Sequence, residues 1–258
     1  MTKLNHFRAG SGEPLVLVHG VGSRWQVWEP IVGLLAESFD VIAVDLPGFG
    51  GSRPLPTTTV STLADALVEF LAAEGIERPH LGGNSMGGGI ALDLAARGLA
   101  RSVTAYSPIG FWDRAGRIWC QQALGRAKDL SKVLHPAVPG LAGNIAGRTT
   151  LMGLVLGKPW AVDPQVAADT IDALLASEGF PPALASFTDF RLPDRSAVAA
   201  VPVTIAWGNR DILLTYATQA RRAREVLPEA RHVTLPGSGH TPFYDDPPGC
   251  ARLLLDQL

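Results

Sequence analysis

The chain has 258 residues, 47% of them hydrophobic, ample for a large core and far from the charge-rich composition of disordered chains. Its 22 Lys and Arg against 24 Asp and Glu leave a formal charge of −2, which provides no basic field for nucleic acid or an anionic membrane. Two cysteines, Cys120 and Cys250, are too few for a disulfide framework and too far apart for a zinc or redox pair, and no apolar run is long enough for a signal peptide or a membrane span.

A cytoplasmic protein is therefore expected, built as one domain with an insertion, since α/β folds of this size routinely run as one. The first confident strand is the apolar run Leu15-Val16-Leu17-Val18. A helix-like stretch from Trp28 to Glu37 follows, then a second run, Val41-Ile42-Ala43-Val44. Runs that are apolar throughout suit strands buried on both faces, so the predicted fold class is α/β: a doubly wound, mostly parallel sheet with helices on each side. The loop closing the first strand, His19-Gly20-Val21-Gly22, carries glycines that permit close backbone approach. Asp45, at the head of the glycine-rich loop ending at Ser52, reads as a turn organiser, and His19 as structural.

The segment from Val60 to Ile76 places Leu63, Leu67, Phe70 and Leu71 on one helical face, with Gly75 as a left-handed stop. A short strand ending near Asn84, a helix from Met86 to Gly98 and a strand from Ser102 to Ser107 continue the alternation. At the strand-to-helix junction stands Gly83-Asn84-Ser85-Met86-Gly87. Such a sharp turn strains its central residue and excludes bulk two positions to either side. It lifts the Ser85 hydroxyl out at the carboxyl edge of the sheet, over the positive end of the next helix, where a nucleophile belongs. A backbone amide of the His19–Gly22 loop, with that of Met86, supplies two donors for a developing oxyanion.

Between Ile109 and about Ala200 the strands disappear and helix-like pieces are broken by prolines. This predicts an inserted helical lid over 109–200, splitting a core made of 1–108 and 201–258. The lid carries Phe111, Trp112, Trp119, Trp160, Phe180 and Phe187, more large apolar side chains than one layer of helices needs, so some are expected to face a ligand cavity. Phe111 and Trp112, directly after the strand neighbouring that of Ser85, are the expected substrate-binding pair; their other reading is as anchors of the lid.

The alternation resumes with Pro202 to Trp207, a helix from Tyr216 to Leu227, a strand from Arg231 to Leu235, and a last helix opened by Asp246-Pro247-Pro248. Asp211 and His240 each lie just past the carboxyl end of a predicted strand. A serine hydroxyl needs a base to take its proton, and the base needs a carboxylate to orient it. Singly, Asp211 reads as a helix cap and His240 as a loop histidine. Three loops at one sheet edge carrying serine, acid and histidine favour the catalytic reading, with Asp113 as the spare carboxylate.

The His19–Gly22 loop, the Asp45–Ser52 loop, Gly83-Asn84-Ser85-Met86-Gly87-Gly88, Trp207-Gly208-Asn209-Arg210-Asp211 and Gly237-Ser238-Gly239-His240 together resemble the α/β-hydrolase superfamily across nearly the whole chain outside the lid. The resemblance implies a nucleophile, acid and base at Ser85, Asp211 and His240, with the amides of Val21 and Met86 as the oxyanion hole. Serine at the elbow departs from the haloalkane dehalogenase and epoxide hydrolase branches, which place aspartate there, and from dienelactone hydrolases, which use cysteine. Asn84 and Met86-Gly87-Gly88 are similar to carbon–carbon hydrolases of ring-opened aromatic products, but those have an aromatic residue soon after the histidine, where this chain has Thr241-Pro242.

The leading expectation is a serine hydrolase of carboxylic esters or lactones of small to medium apolar molecules, working through an acyl-enzyme with no cofactor and no metal. The alternatives are a carbon–carbon hydrolase of ring-cleavage diketones and a ligand-binding receptor on the same fold. The expected partner is a small apolar substrate, with neither nucleic acid nor membrane; the sequence sets no oligomeric state.

Overall fold

The computed structural model describes residues 3–257. Its strands are β1 (His6–Gly10), β2 (Glu13–Val18), β3 (Phe39–Val44), β4 (His80–Asn84), β5 (Ser102–Tyr106), β6 (Val203–Gly208) and β7 (Arg231–Leu235). They form one sheet in the order β1-β3-β2-β4-β5-β6-β7. All pairings are parallel except that of β1 with β3.

The apolar runs are buried on both faces, as their composition demands. Leu15 and Leu17 of β2 pack with Ile31 and Leu35 of α1 (Glu29–Leu35) on one face. Val16 and Val18 pack on the other with Leu63 and Leu67 of α2 (Val60–Ala73) and Ile90 of α3 (Met86–Ala96). Thr59 caps α2, its hydroxyl accepting the Thr62 N–H while the Thr62 hydroxyl accepts the Thr59 N–H, and Gly75 ends it at φ +67°. Each satisfies backbone groups that a helix terminus leaves unpaired.

Between β5 and β6 the chain is helical: α4 (Arg114–Leu134), α5 (Val138–Ala142), α6 (Ile145–Met152), α7 (Pro164–Ala176), α8 (Phe180–Ser186) and the single turn α9 (Arg195–Val198). Asp113 caps α4 by accepting the Gly116 N–H at 2.7 Å. After β6 come α10 (Arg221–Val226), preceded by one wide helical turn over Tyr216–Ala220, and α11 (Pro247–Leu255), capped by Asp246. The last joins α1 beneath the sheet.

Strand β1 has no counterpart in the sequence reading. It is a five-residue edge strand, only partly buried, with Arg8 pointing to solvent and pairing with Asp40. A strand of that kind has neither a continuous apolar run nor an alternation long enough to be read. The predicted helix at Trp28 begins instead with a tight turn over Trp25–Trp28.

The order of the strands decides where a ligand can bind. The chain leaves β2 for β3 on one side and then crosses to β4 on the other. The crevice outside the carboxyl ends of β2 and β4 is therefore the topological switch point, where open α/β sheets bind ligands. The loops carrying Val21 and Ser85 emerge there.

Candidate active site

Ser85 lies between β4 and α3 with φ 55° and ψ −115°, a conformation side chains rarely adopt and one that costs of order 1–3 kcal/mol. The turn closes because its flanks are bare. A Cβ on Gly87 would overlap the carbonyl oxygens of Val18 and His19, and one on Gly83 would overlap the backbone of Gly87 and Gly88. The strained residue is tied on both sides: its N–H donates to Tyr106 O at 2.9 Å, and its carbonyl accepts the N–H groups of Gly89 and Ile109, each at 3.1 Å.

The loop after β2 runs directly against this elbow, since a Cβ on Gly20 would lie 3.1 Å from Cβ of Ser85. Among the described residues neither the Val21 nor the Met86 amide has an acceptor, so both are free to donate. His19 braces the loop from below. Leu46 N–H donates to its Nε2 at 3.0 Å, so the ring proton is on Nδ1 and donates to Gly20 O at 2.7 Å. Burial pushes the His19 pKa down, against the opposing pulls of the Gly20 carbonyl and Asp45, and the neutral ring is the form these two bonds require. Asp45 organises its turn as read from the sequence, accepting from Trp25 N–H, Gly51 N–H and the Asn5 side chain.

Asp211 and His240 meet at the ends of β6 and β7. Oδ2 of Asp211 lies 2.8 Å from Nδ1 of His240. Oδ1 accepts the N–H groups of Leu213 and Leu214, both at 2.9 Å. A carboxylate oxygen accepts, so in this contact Nδ1 of His240 is the donor and Asp211 fixes which ring nitrogen faces it. Asp211 thus holds the turn at Leu213 and Leu214 and not the start of the helical turn at Tyr216, whose N-cap Thr215 makes no side-chain cap bond, and so differs from the helix cap read from the sequence. Asp113 takes no part, being the exposed cap of α4.

A cavity of about 300 Å³ opens over these groups. Ser85, His240 and Val21 line its floor, and Leu124, Leu151, Leu154, Ile171 and Leu174 of the segment between β5 and β6 form its walls. Arg24 and Asp169 face each other across 4.0 Å on its lining. Tyr244 also lines it; burial pushes its phenol up to about 12, so it stays a neutral donor.

The expected substrate-binding pair lies elsewhere. Phe111 is fully buried and set edge-on to Trp207 at 6.3 Å, and Trp112 packs on Phe187 at 5.4 Å. Neither lines the cavity, nor do Trp119, Trp160, Phe180 or Phe187. The chain leaving β5 enters the seam between the sheet and the inserted helices, so the first large side chains after the strand fill that seam. The walls come instead from aliphatic residues of α4 and α7 and from the run Leu151-Met152-Gly153-Leu154-Val155-Leu156. That run was the available signal, an apolar stretch with no strand to account for it. Asn84 was also missed as a support: its side-chain N–H groups donate to Tyr106 O at 3.1 Å and to His240 O at 3.0 Å.

Among the described residues no group of three or more His, Cys, Asp or Glu is placed to hold a metal ion, and no helix is long and apolar enough to cross a membrane.

A serine on a strained strand-to-helix turn, at the switch point of a mostly parallel sheet, is the arrangement of an α/β hydrolase. Residues 15–253 match the model of the Alpha/beta hydrolase family, and the chain belongs to that family. It is 31% identical over 256 residues to an uncharacterized protein of Mycobacterium tuberculosis, covering 93% of this chain and 73% of that one. It is 26% identical over 244 residues to Lipase 3 of Moraxella sp., covering 91% and 74%. Among solved structures, a thermophilic esterase from Thermogutta terrifontis superimposes with a TM-score of 0.75 at 23% identity, covering 98% of this chain and 92% of that one.

Proposed function

We propose that the protein hydrolyses carboxylic esters or lactones of small to medium apolar acyl groups through an acyl-enzyme on Ser85. One observation carries the reading: a serine on a strained elbow shares a single apolar cavity with a histidine whose Nδ1 proton is held by a buried carboxylate.

In this mechanism the Ser85 hydroxyl attacks the ester carbonyl as its proton passes to Nε2 of His240. The ring becomes an imidazolium, and Asp211 stabilises it through the Nδ1–H bond without taking the proton. Negative charge gathers on the former carbonyl oxygen, where the amides of Val21 and Met86 receive it; donors fixed in advance cost no reorganisation when the charge appears. Collapse breaks the bond to the alkoxy oxygen, which leaves with the proton from His240. A water then enters and attacks the acyl carbon as it gives a proton to His240; collapse breaks the bond to Ser85 Oγ, which takes that proton back from His240, and the acid leaves.

The inserted helices act as a lid over this chemistry and supply the acyl pocket. A volume of about 300 Å³ is at the small end of ligand cavities, which run roughly 300–1,000 Å³. The aliphatic walls suit an alkyl acyl group, with Tyr244 as an aromatic side chain on the lining. The Moraxella lipase and the Thermogutta esterase support ester chemistry.

The test is labelling with a fluorophosphonate, followed by turnover of p-nitrophenyl esters from two to sixteen carbons and of simple lactones. Wild type should label and hydrolyse short and medium esters, and Ser85→Ala should do neither. Full turnover by Ser85→Ala defeats the reading.

A further inference from the structure

Asp245 is a buried carboxylate that this chemistry does not use. It stands five residues beyond His240, and capping of α11 falls to its neighbour Asp246. Oδ2 accepts two backbone N–H groups, those of Gly239 and Gly157, each at 2.8 Å. Oδ1 accepts the Lys158 N–H at 2.7 Å, and the Asp245 carbonyl accepts from Lys158 Nζ at 2.8 Å. One side chain thus joins Gly239, the residue directly before His240, to a segment of the insertion more than eighty residues earlier in the chain.

Other bonds run across the same junction. Thr241 N–H, just after His240, donates to Val155 O at 2.8 Å. Arg210, next to Asp211, donates from Nη1 to Gly157 O at 3.0 Å. The backbones touch with no side chain between them, because a Cβ on Gly157 would overlap Gly237 O. The segment so held is also cavity wall: Met152, Leu154, Val155 and Leu156 all line it. His240 is therefore fixed by the cavity wall through Asp245 and Val155, by the elbow through Asn84, and at its ring by Asp211.

Resting on the reading of Ser85 and His240 above, we propose that Asp245 is a positioning residue through which the wall of the acyl cavity sets the place of His240. An acyl group that fills the cavity presses the 152–156 wall into its docked position, and the tie carries that position to the imidazole. Binding energy from a part of the substrate remote from the reacting bond then appears in the chemical step. Small displacements matter here, because a shift of about 1 Å at a catalytic group can cost on the order of a hundredfold in rate. The expectation is that acyl length acts on kcat as well as on KM.

The experiment measures kcat and KM separately for p-nitrophenyl acetate, butyrate and hexanoate with wild type, Asp245→Asn, Arg210→Met and Ser85→Ala. Asparagine puts an NH₂ group against at least one of the three backbone N–H groups, which breaks the tie with little change in volume. Wild-type kcat should rise from acetate to hexanoate. In Asp245→Asn the ratio of the two kcat values should fall toward one, with hexanoate kcat down ten- to a hundredfold and the ratio of KM values retained. Arg210→Met removes one part-buried bond of the same junction and should move the kcat ratio in the same direction by less; it carries the test should Asp245→Asn fail to fold. A wild-type kcat independent of acyl length, an unchanged ratio in a folded variant, or an equal loss of kcat for every ester overturns the proposal. Ser85→Ala separates the two layers of argument: if it turns over esters normally, the reading of the site has failed, whereas an inactive Ser85→Ala beside an unchanged kcat ratio removes only the role of Asp245.

Discussion

Asp211 divides its two oxygens between two tasks, one accepting the ring N–H of His240 at 2.8 Å and the other the amides of Leu213 and Leu214 at 2.9 Å. Asparagine cannot serve both, because its NH₂ must face either the imidazole or the two amides. Asp211→Asn is expected to lower kcat by about 10⁴, the size seen when a triad carboxylate becomes an amide and the histidine adopts the wrong tautomer. Asp113→Asn should be nearly silent, since asparagine caps a helix as well as aspartate does. Steady-state kinetics of the two variants side by side decide between them; the reverse pattern would move the acid to Asp113.

The strain at Ser85 is measurable by itself. Alanine at 85 keeps an unfavourable φ of 55°, whereas glycine relieves it, less a smaller entropic loss in the unfolded chain. Ser85→Gly should be more stable than Ser85→Ala by about 1 kcal/mol, with both inert to fluorophosphonate. Urea denaturation of the two variants reads the difference, and a less stable glycine variant would contradict the strain assignment.

Trp112 and Leu124 should separate stability from specificity. Trp112 packs on Phe187 outside the cavity, so Trp112→Ala should cost roughly 3–5 kcal/mol of stability and leave the acyl-length profile in place. Leu124 lines the cavity, so Leu124→Trp should shorten the preferred acyl group with little loss of folding. Each methylene admitted is worth about 0.8 kcal/mol, nearly fourfold in binding, which makes the cut-off visible in kcat/KM across a series from two to ten carbons. A profile changed by Trp112→Ala and untouched by Leu124→Trp would reverse this assignment.

His19 predicts a response to acid. Its ordinary value of 6.5 is lowered in the folded protein, chiefly by burial, and protonated Nε2 would confront the Leu46 N–H. The unfolded chain takes up the proton first, so the neutral ring's contribution is complete above about pH 6.5 and is lost as pH falls toward the folded value. Wild type should lose stability between pH 8 and 5.5. His19→Gln, whose amide can donate to Gly20 O and accept from Leu46 N–H, should show a flatter dependence. Denaturation midpoints at the two pH values give the slopes, and equal slopes would show that other groups govern the acid response.

The continuous apolar runs at Leu15–Val18 and Val41–Val44 were legible as strands buried on both faces because such burial forces every position to be apolar. The elbow was legible as a strand-to-helix motif: Gly83 is demanded by the backbone of its own turn at Gly87 and Gly88, whereas the reason for Gly87, the carbonyl oxygens of Val18 and His19, lies on the neighbouring strand and shows only in the fold. Short-range order also made the loops of Asp211 and His240 visible, though their meeting at 2.8 Å depends on β6 and β7 being neighbours in the sheet. Strand β1 escaped because an exposed edge constrains its residues weakly. The identity of the cavity wall escaped for a different reason. Whether Trp112 or Leu154 faces the substrate depends on how the inserted helices pack on the sheet, and an apolar side chain satisfies a core and a ligand pocket equally well. The tie from Asp245 to Gly157 was beyond reach of the sequence on the same ground: a carboxylate after a loop histidine has no local signature, and its three backbone donors come together only when two distant segments dock. Composition and local sterics thus determined the sheet, the elbow and the order of serine, acid and histidine, while the packing of the insertion alone decided what surrounds them, because hydrophobic burial specifies that a side chain is covered and not by what.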